Sequence, residues 1–421
     1  MKKLLFYSIF LLLAGWSLQS CEFSPGDDED GGDPSNLGVY VVMEGNMSDN
    51  NGMLCYIDGE GKLFTAKNAD GSETTDLYGA ANGGAKVGNV LQDIYLYHGK
   101  IYMLTQNGPD RGGDGYMVIC DAKTMKQERV FGNESALADP GIWPQHLVVV
   151  DEETVFVRYS TSDNETHAGI RIFNPKTDEL SGDIPGTAGV FMTEGSMKMR
   201  MVYHDGKIFA PCGFDLVVLD ARQRGKEIAR VKFDSQIKGI VLGLDNNIYM
   251  TIAGQYEGKT TVPDVTTDPS QMEIKYLTRS RIVGVNSSTY EQISEKKMPS
   301  GVNFPVHSAA PGIGMCASFT EDAVFFWDGP FKAFKIWRYE YKTGKLAKII
   351  DLTASLENMG WTIYGYIGVG QDNKLYVGTS DYLRTRVLTF DPVTGERLPD
   401  SYDIDSGSPS GIDFPIRFPE R

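Results

Sequence analysis

Histidine and cysteine are scarce: the chain of 421 residues holds five of each. His98, His146, His167, His204 and His307 show no metal-ligand spacing. Cys21, Cys55, Cys120, Cys212 and Cys316 form no CxxC or zinc pattern. GxSxG, HExxH, a Walker A loop and a dinucleotide fingerprint are missing, which removes the enzyme classes that announce themselves by local motifs. Glycosidase carboxylates need not be neighbours in sequence, so a hydrolase survives this test. Positive charge is in deficit, with 40 Lys and Arg against 56 Asp and Glu and a formal net charge of −16. Such an acidic body argues against nucleic acid or anionic lipid as a partner. Beyond the first twenty residues no apolar stretch is long enough to span a membrane.

What is present begins with a leader. Lys2 and Lys3 form a positive segment, Leu4–Ala14 an apolar run, and Leu18-Gln19-Ser20-Cys21 a small-residue cleavage site ending in cysteine. The reading is a lipoprotein signal peptide over residues 1–20, with Cys21 the lipidated N-terminus. Residues 21–37 follow as a flexible tether, with Pro, Gly and six acidic residues and too little apolar surface to fold. Asp27, Asp28, Glu29 and Asp30 resemble the signal that sends Bacteroidota lipoproteins to the cell surface. The expected location is the outer membrane, lipid-anchored and facing outward. Loss of Lys2 and Lys3 with the leader takes the charge from −16 to −18.

Residues 38–421 read as one repetitive unit. Between Gly88 and Lys126 three short apolar runs, Val90–Tyr97, Ile101–Leu104 and Tyr116–Cys120, are joined by a tight His98-Gly99-Lys100 turn and a Gly/Asp-rich loop. Met125–Phe131 supplies a fourth strand, giving an antiparallel meander. Its closing element, an apolar strand ending in Asp or Asn before a polar turn, recurs at Cys55–Gly61, Val118–Thr124, Arg171–Thr177, Val217–Gln223, Val283–Thr289, Arg338–Gly344 and Leu388–Thr394. In the sixth copy Tyr341 is read as replacing the Asp. The middle hairpin recurs as HGKIYM, EETVFV, HDGKIFA, DNNIYM, EDAVFF and DNKLYV, and the first repeat lacks a clear copy. Seven closings about fifty residues apart suit four-stranded blades. The fold class expected is all-β, a seven-bladed β-propeller. Ile412–Phe418 is a candidate to pair with Val39–Met43, although Pro415 suits only an edge.

Departures from the repeat locate candidate sites. The fifth repeat carries the largest insertion, Gly254–Tyr276, and smaller ones lie at Asn107–Gly115 and Ser160–His167. Insertions of this kind fall on one face of a repeat protein. Asn107, Asp110 and Asp114 do not match an EF-hand loop and read as turn chemistry. Segments entering the innermost strands carry Glu44, Asn46, Gln92, Trp143, Gln145, His146, Lys198, Arg200, Lys238, His307, Trp361 and Tyr364. Aromatic plates mixed with scattered amides and charges suit a small-molecule pocket at the propeller mouth. Cys55 and Cys120 read as packed apolar residues. A disulfide is permitted in an exported chain, but its pairing is not readable.

The hairpin-plus-closing pattern resembles the YVTN/YncE-like propellers. Met43-Glu44-Gly45-Asn46, Asn50-Asn51-Gly52, Leu54–Asp58, Gly88–Asp93, Gly99–Tyr102 and Val118–Lys126 are similar to a Bacteroidota group of propeller lipoproteins, with Met43 where that group has Asn. The group includes BtuG-type surface lipoproteins, which capture cobalamin above a TonB-dependent transporter. The resemblance implies a non-enzymatic protein that captures a small molecule, cobalamin being the most specific candidate, and passes it to such a transporter. No cofactor is implied, and the membrane is reached through the lipid alone. Two other readings stand beside it: a carbohydrate-active hydrolase or lyase with paired carboxylates in the mouth, and an interaction scaffold with an exposed apolar face.

Overall fold

The computed structural model describes residues 38–47, 50–68, 70–139, 142–161, 168–188, 199–255, 276–304, 314–329, 333–381, 383–405 and 407–413. The leader, Cys21, the tether, Lys198 and His307 lie outside them.

These residues form seven antiparallel blades arranged as a ring. Blade 2 sets the pattern: Asn89–Tyr97 is innermost, followed outward by Lys100–Gly108, Met117–Asp121 and Gln127–Phe131. Blade 3 starts at Ile142–Asp151, blade 4 at Val202–His204, blade 5 at Ile237–Leu242 and blade 6 at Met315–Ala317. In blade 7 the inner strand is split into Thr362–Ile363 and Gly368–Val369, both paired with Leu375–Ser380. Pro144 sits in the inner strand of blade 3, where only one edge needs ladder hydrogen bonds.

Inner and middle strands are buried on both faces because each blade packs against two neighbours. Val39–Gly45 has no exposed residue, whereas the fourth strand of blade 5, Gln292–Lys297, alternates exposed with half-buried residues. Separate apolar clusters fill the contacts round the ring, between blades 1 and 2, 2 and 3, 3 and 4, and 4 and 5, with one spanning 5 to 7. A further cluster of Val39, Val41, Met43, Tyr376, Val387 and Ile412 seals blade 7 to blade 1.

The ring is closed by the two ends of the fold. Ser408–Asp413 forms the innermost strand of blade 1 and pairs antiparallel with Val39–Gly45, placing Ile412 opposite Val41. Met53–Ile57 follows outward, and Leu63 adds a single bridge to Ile57. This explains why the first repeat has no middle hairpin: its inner strand comes from the other end of the chain. The expected pairing of Ile412 with the N-terminal strand is present, and Pro415 lies outside the described residues.

The recurrent closing Asp or Asn has a local cause. Asp121 Oδ1 accepts from the backbone N–H of Lys123 and Thr124 at 3.1 and 2.7 Å. Asn174, Asp220, Asn286 and Asp391 do the same two and three residues ahead. Each caps the turn between the third and fourth strands, an Asx turn that satisfies backbone donors the sheet leaves open. In blade 6 the position belongs to Glu340 and not to Tyr341. The Glu340 carbonyl accepts from Gly344 N at 2.8 Å, as Asp121 does from Met125 N at 2.9 Å, and its carboxylate accepts from Thr343 Oγ1 at 3.0 Å.

Strand direction fixes which loops share an end. In an antiparallel meander the connections from second to third strand lie at the same end as the segments entering each inner strand. The insertion Asn107–Gly115 therefore leaves from the mouth end, while 162–167 and 256–275 of the other two insertions lie outside the described residues. The turns built on His98-Gly99 and on Asp121 lie at the far end.

Candidate functional site

The innermost strands bring polar side chains from five blades to the axis. Glu44 ends the second strand of blade 1, where the extended chain turns at Gly45 with φ of +72°. Its carboxylate is almost buried and is held from two sides: Gln92 Nε2 donates to Oε2 at 3.0 Å, and Tyr364 Oη donates to Oε1 at 2.6 Å. The second strand of blade 1 and the inner-strand segments of blades 2 and 7 thus meet on one carboxylate.

A second cluster is centred on Asp93, in the middle of the inner strand Asn89–Tyr97. Asp93 is 1 % exposed. Its Oδ1 accepts from Arg200 Nη2 at 3.0 Å, and its Oδ2 lies 3.3 Å from His146 Nδ1 and accepts weakly from Leu147 N at 3.4 Å. Tyr366 completes the group. Its hydroxyl accepts from the Arg200 backbone N–H at 3.0 Å, its ring lies under the guanidinium at 4.3 Å, and its edge meets the His146 ring at 5.7 Å. Arg200 is thereby fixed by an ion pair, a stacked ring and a backbone contact, while its side chain remains 20 % exposed. Gly411 on the closing strand makes the room: a Cβ there would lie 3.1 Å from Arg200 Nη2.

Burial governs ionisation here. Desolvation lowers the pKa of His146 and outweighs the opposing pull of Asp93, so the imidazole is neutral near pH 7. Arg158, directly opposite His146 on blade 3 and 1 % exposed, is lowered by desolvation as well. Lys238, on the inner strand of blade 5, is 3 % exposed, and desolvation brings it down to about 8. Cys316 and Cys212 also lie within electrostatic reach of Arg200 and Arg158, and burial raises both thiols, so neither is a reactive thiolate. The four described cysteines, Cys55, Cys120, Cys212 and Cys316, are unpaired.

The other expected site residues are placed differently. Gln145 is fully buried and donates to Ser160 Oγ at 2.7 Å within blade 3. Trp143, two residues earlier, is half-buried at the mouth end of the same strand, and Asn46 is half-buried in the turn after Glu44. Trp361 is 5 % exposed and belongs to the apolar cluster of blades 5 to 7. Arg384 and Arg386 lie over its ring at 5.6 and 5.8 Å, so its faces are covered by protein. Sequence reasoning missed Asp93, Arg158 and Tyr366. An acid in the middle of an inner strand was the available signal for Asp93.

Among the described residues no group of three or more His, Cys, Asp or Glu is placed to hold a metal ion. A cleft at the far end between blades 2 and 3 is lined by Tyr97, His98, Asp151, Glu152, Glu153, Thr154 and Lys176. Its one lysine is already engaged, Lys176 lying 3.0 Å from Glu153 and 3.6 Å from Glu152. The axial groups are the better candidate site.

With this geometry established, comparison with known proteins adds the following. No curated protein sequence matches the chain. Among solved structures, a quinonprotein alcohol dehydrogenase-like protein from Bacteroides thetaiotaomicron is 19% identical, with a TM-score of 0.58 over 94% of this chain and 80% of that one. A hypothetical selenium-binding protein from Sulfolobus tokodaii is 10% identical, with a TM-score of 0.56 over 93% and 96%. The periplasmic gluconolactonase of Pseudomonas aeruginosa is 12% identical, with a TM-score of 0.53 over 91% and 100%. At these identities the likeness is one of fold, and propellers of this shape carry unrelated chemistries. Residues 37–400 match a family model described as a domain of unknown function, DUF5074, and the chain belongs to that family.

Proposed function

We propose that this propeller is a binding protein that captures a small polar ligand at its axial mouth. The observation that carries the reading is Arg200: partly exposed, yet fixed in place by Asp93 and the Tyr366 ring. A cation held rigid before a ligand arrives loses little conformational freedom on binding, which is how a pocket gains affinity from few polar groups. Glu44, locked by Gln92 and Tyr364, offers a second oriented group nearby, and Trp143 an aromatic face at the rim.

In this reading the chain is held at the outer surface through lipid on Cys21 and serves a TonB-dependent transporter, as the resemblance to BtuG-type lipoproteins implies. Cobalamin is the first ligand to test. Isolation of the lipidated protein from outer membranes, with and without Cys21→Ser, tests anchorage and partnership together. The expected result is a co-purifying transporter, recovered with the wild type and lost with the variant. Recovery of the protein in the soluble periplasmic fraction, with no transporter, contradicts both.

A histidine backed by a carboxylate is also the arrangement used in acid–base catalysis, so the His146–Asp93 pair keeps a hydrolase or lyase as the second reading. Product release from a polysaccharide panel that is lost in His146→Asn would favour it.

A further inference from the structure

We propose that the axial site receives a neutral hydroxyl group of its ligand, which donates a hydrogen bond to His146 Nε2 inside a ring of bulged inner strands. The inference rests on the reading that a ligand enters at the axis, and it assigns the chemistry of the part that enters.

The bulges are the first reason. In blade 1 Val42 faces Gly411 and Met43 faces Pro409, which leaves Ser410 as an extra residue on the inner strand. Gln92, Gln145 and Lys238 are extra in the same way in blades 2, 3 and 5. Val39, Ile101, Val155 and Ile248 each pair with the residue just before the closing Asp or Asn. Each bulge opposes the step between the third and fourth residues beyond them, so the four lie at one level. In blade 7 residues 364–367 oppose only Val377 and Gly378, and this wider bulge spans the same level. A bulge bends its strand and re-aims a side chain, and bulges gather next to binding and active sites.

The second reason is what stands at that level. Three of the extra side chains are engaged within the protein: Gln92 donates to Glu44, Gln145 to Ser160, and Ser410 to the Val42 carbonyl at 3.2 Å. His146, next to the bulge of blade 3, differs from them. It meets Asp93 of blade 2 and the Tyr366 ring of blade 7, and blades 3 and 7 are not neighbours, so these contacts cross the axis. Solvent reaches the cluster, because Arg200 on the same carboxylate is 20 % exposed.

His146 then decides the chemistry. The imidazole is neutral, and Nδ1 faces the acceptor Asp93 Oδ2 at 3.3 Å, so Nδ1 carries the proton and Nε2 a lone pair. Nε2 is buried and has no hydrogen-bond partner among the described residues. Buried polar atoms are nearly always satisfied, so an unsatisfied acceptor marks a place where a donor from a ligand or a water belongs. An anionic oxygen has no proton to give. An ammonium would bring a further charge into a cluster where Asp93 and Arg200 are already paired, and burying charge is costly. A hydroxyl donates without adding charge.

The test is histidine-selective ¹⁵N labelling of the detergent-solubilised full chain. The His146 signals are those lost in His146→Gln. If that variant fails to fold, substituting the other four histidines in turn assigns them by elimination. They should show a proton on Nδ1 and none on Nε2. Titration with methyl α-glucoside, a neutral polyol, should move the Nε2 signal, and sodium phosphate should do no more than sodium chloride of equal ionic strength. In calorimetry with cyanocobalamin, His146→Phe should weaken binding about two- to tenfold, and His146→Gln, which keeps an acceptor, should retain part of the affinity. A proton on Nε2 or a shift specific to phosphate overturns the inference. So does an Nε2 signal that neither the glucoside nor cyanocobalamin moves, which assigns the atom to water. Cobalamin binding with Nε2 unmoved leaves capture standing and removes the hydroxyl contact. A glucoside response without cobalamin binding keeps the contact and removes cobalamin as the ligand.

Discussion

Arg200 and Asp93 lie 107 residues apart in sequence and meet at the propeller axis, Nη2 to Oδ1, at 3.0 Å. The carboxylate is buried and the guanidinium partly so, which makes the pair unlike the many ion pairs on the rim. Removing one member of a buried pair leaves the other charge uncompensated, and that loss exceeds the net worth of the pair. Asp93→Ala should therefore cost about 3 kcal/mol. Glu128→Gln, which breaks an exposed contact with Lys100 at 3.2 Å, should cost less than about 1 kcal/mol. Urea midpoints of the two variants check the contrast, and equal midpoints would contradict it.

Lys238 gives a pH signature with a definite sign. Its pKa falls from the ordinary 10.5 to about 8 through burial. The folded state disfavours the cation, so this group weakens folding below pH 8, and stability is recovered as pH rises from 8 to 10.5. Lys238→Met should be more stable than wild type at pH 7, by up to about 3 kcal/mol, with the difference shrinking toward pH 10.5. Denaturant titrations of both proteins across that range measure it. A difference independent of pH would show that the lysine is not buried as a charge.

The closing turns predict opposite effects of glycine and alanine. Four residues after the capping side chain, Met125, Asp178, Arg224, Tyr290, Gly344 and Gly395 all take positive φ. Arg224, exposed at φ +51°, carries strain that glycine would relieve, so Arg224→Gly should be neutral or stabilising by about 0.5–1 kcal/mol. At Gly395 a Cβ would lie 2.0 Å from the Ile349 carbonyl oxygen, so Gly395→Ala should destabilise clearly. Thermal midpoints of the two variants decide the matter.

Ring closure depends on the last inner strand. A chain stopped after Gly407 loses Ser408–Asp413 and leaves Val39–Gly45 as an open edge with Tyr40, Val41 and Val42 unpaired on that side. Broadened unfolding and binding of a hydrophobic dye are expected. Unfolding as sharp as that of the full chain would mean the ring does not need this strand.

The sequence made the blades legible because their signals are local. Asp121 and Thr124 sit three residues apart, and the Asx turn they make repeats in most copies. In the sixth copy, where Tyr341 is expected to stand for the Asp, the position is shifted by one: Glu340 takes it, its carbonyl accepting from Gly344 N and its carboxylate from Thr343 Oγ1. The candidate site was legible only in part. Glu44, Gln92, His146 and Arg200 were named from their place at inner-strand starts, and these four are joined into two clusters at the axis. Tyr364 was named with them, but Asp93 and Tyr366, which join His146 to Arg200, act across 53 to 220 residues of sequence, and no periodicity encodes such contacts. Trp361 shows the other side of this. It stands just before an inner strand like the others, but its ring turns into the packing of blades 5 to 7, and only tertiary structure sets that direction.

The most direct test of ligand capture at the axis is isothermal titration of the folded chain, residues 38–421, with cyanocobalamin. We expect one-to-one binding that falls at least tenfold in Arg200→Ala and weakens in Trp143→Ala, while Trp361→Ala changes stability and leaves affinity alone in whatever fraction remains folded. No heat at high protein concentration, or binding indifferent to Arg200, would contradict it.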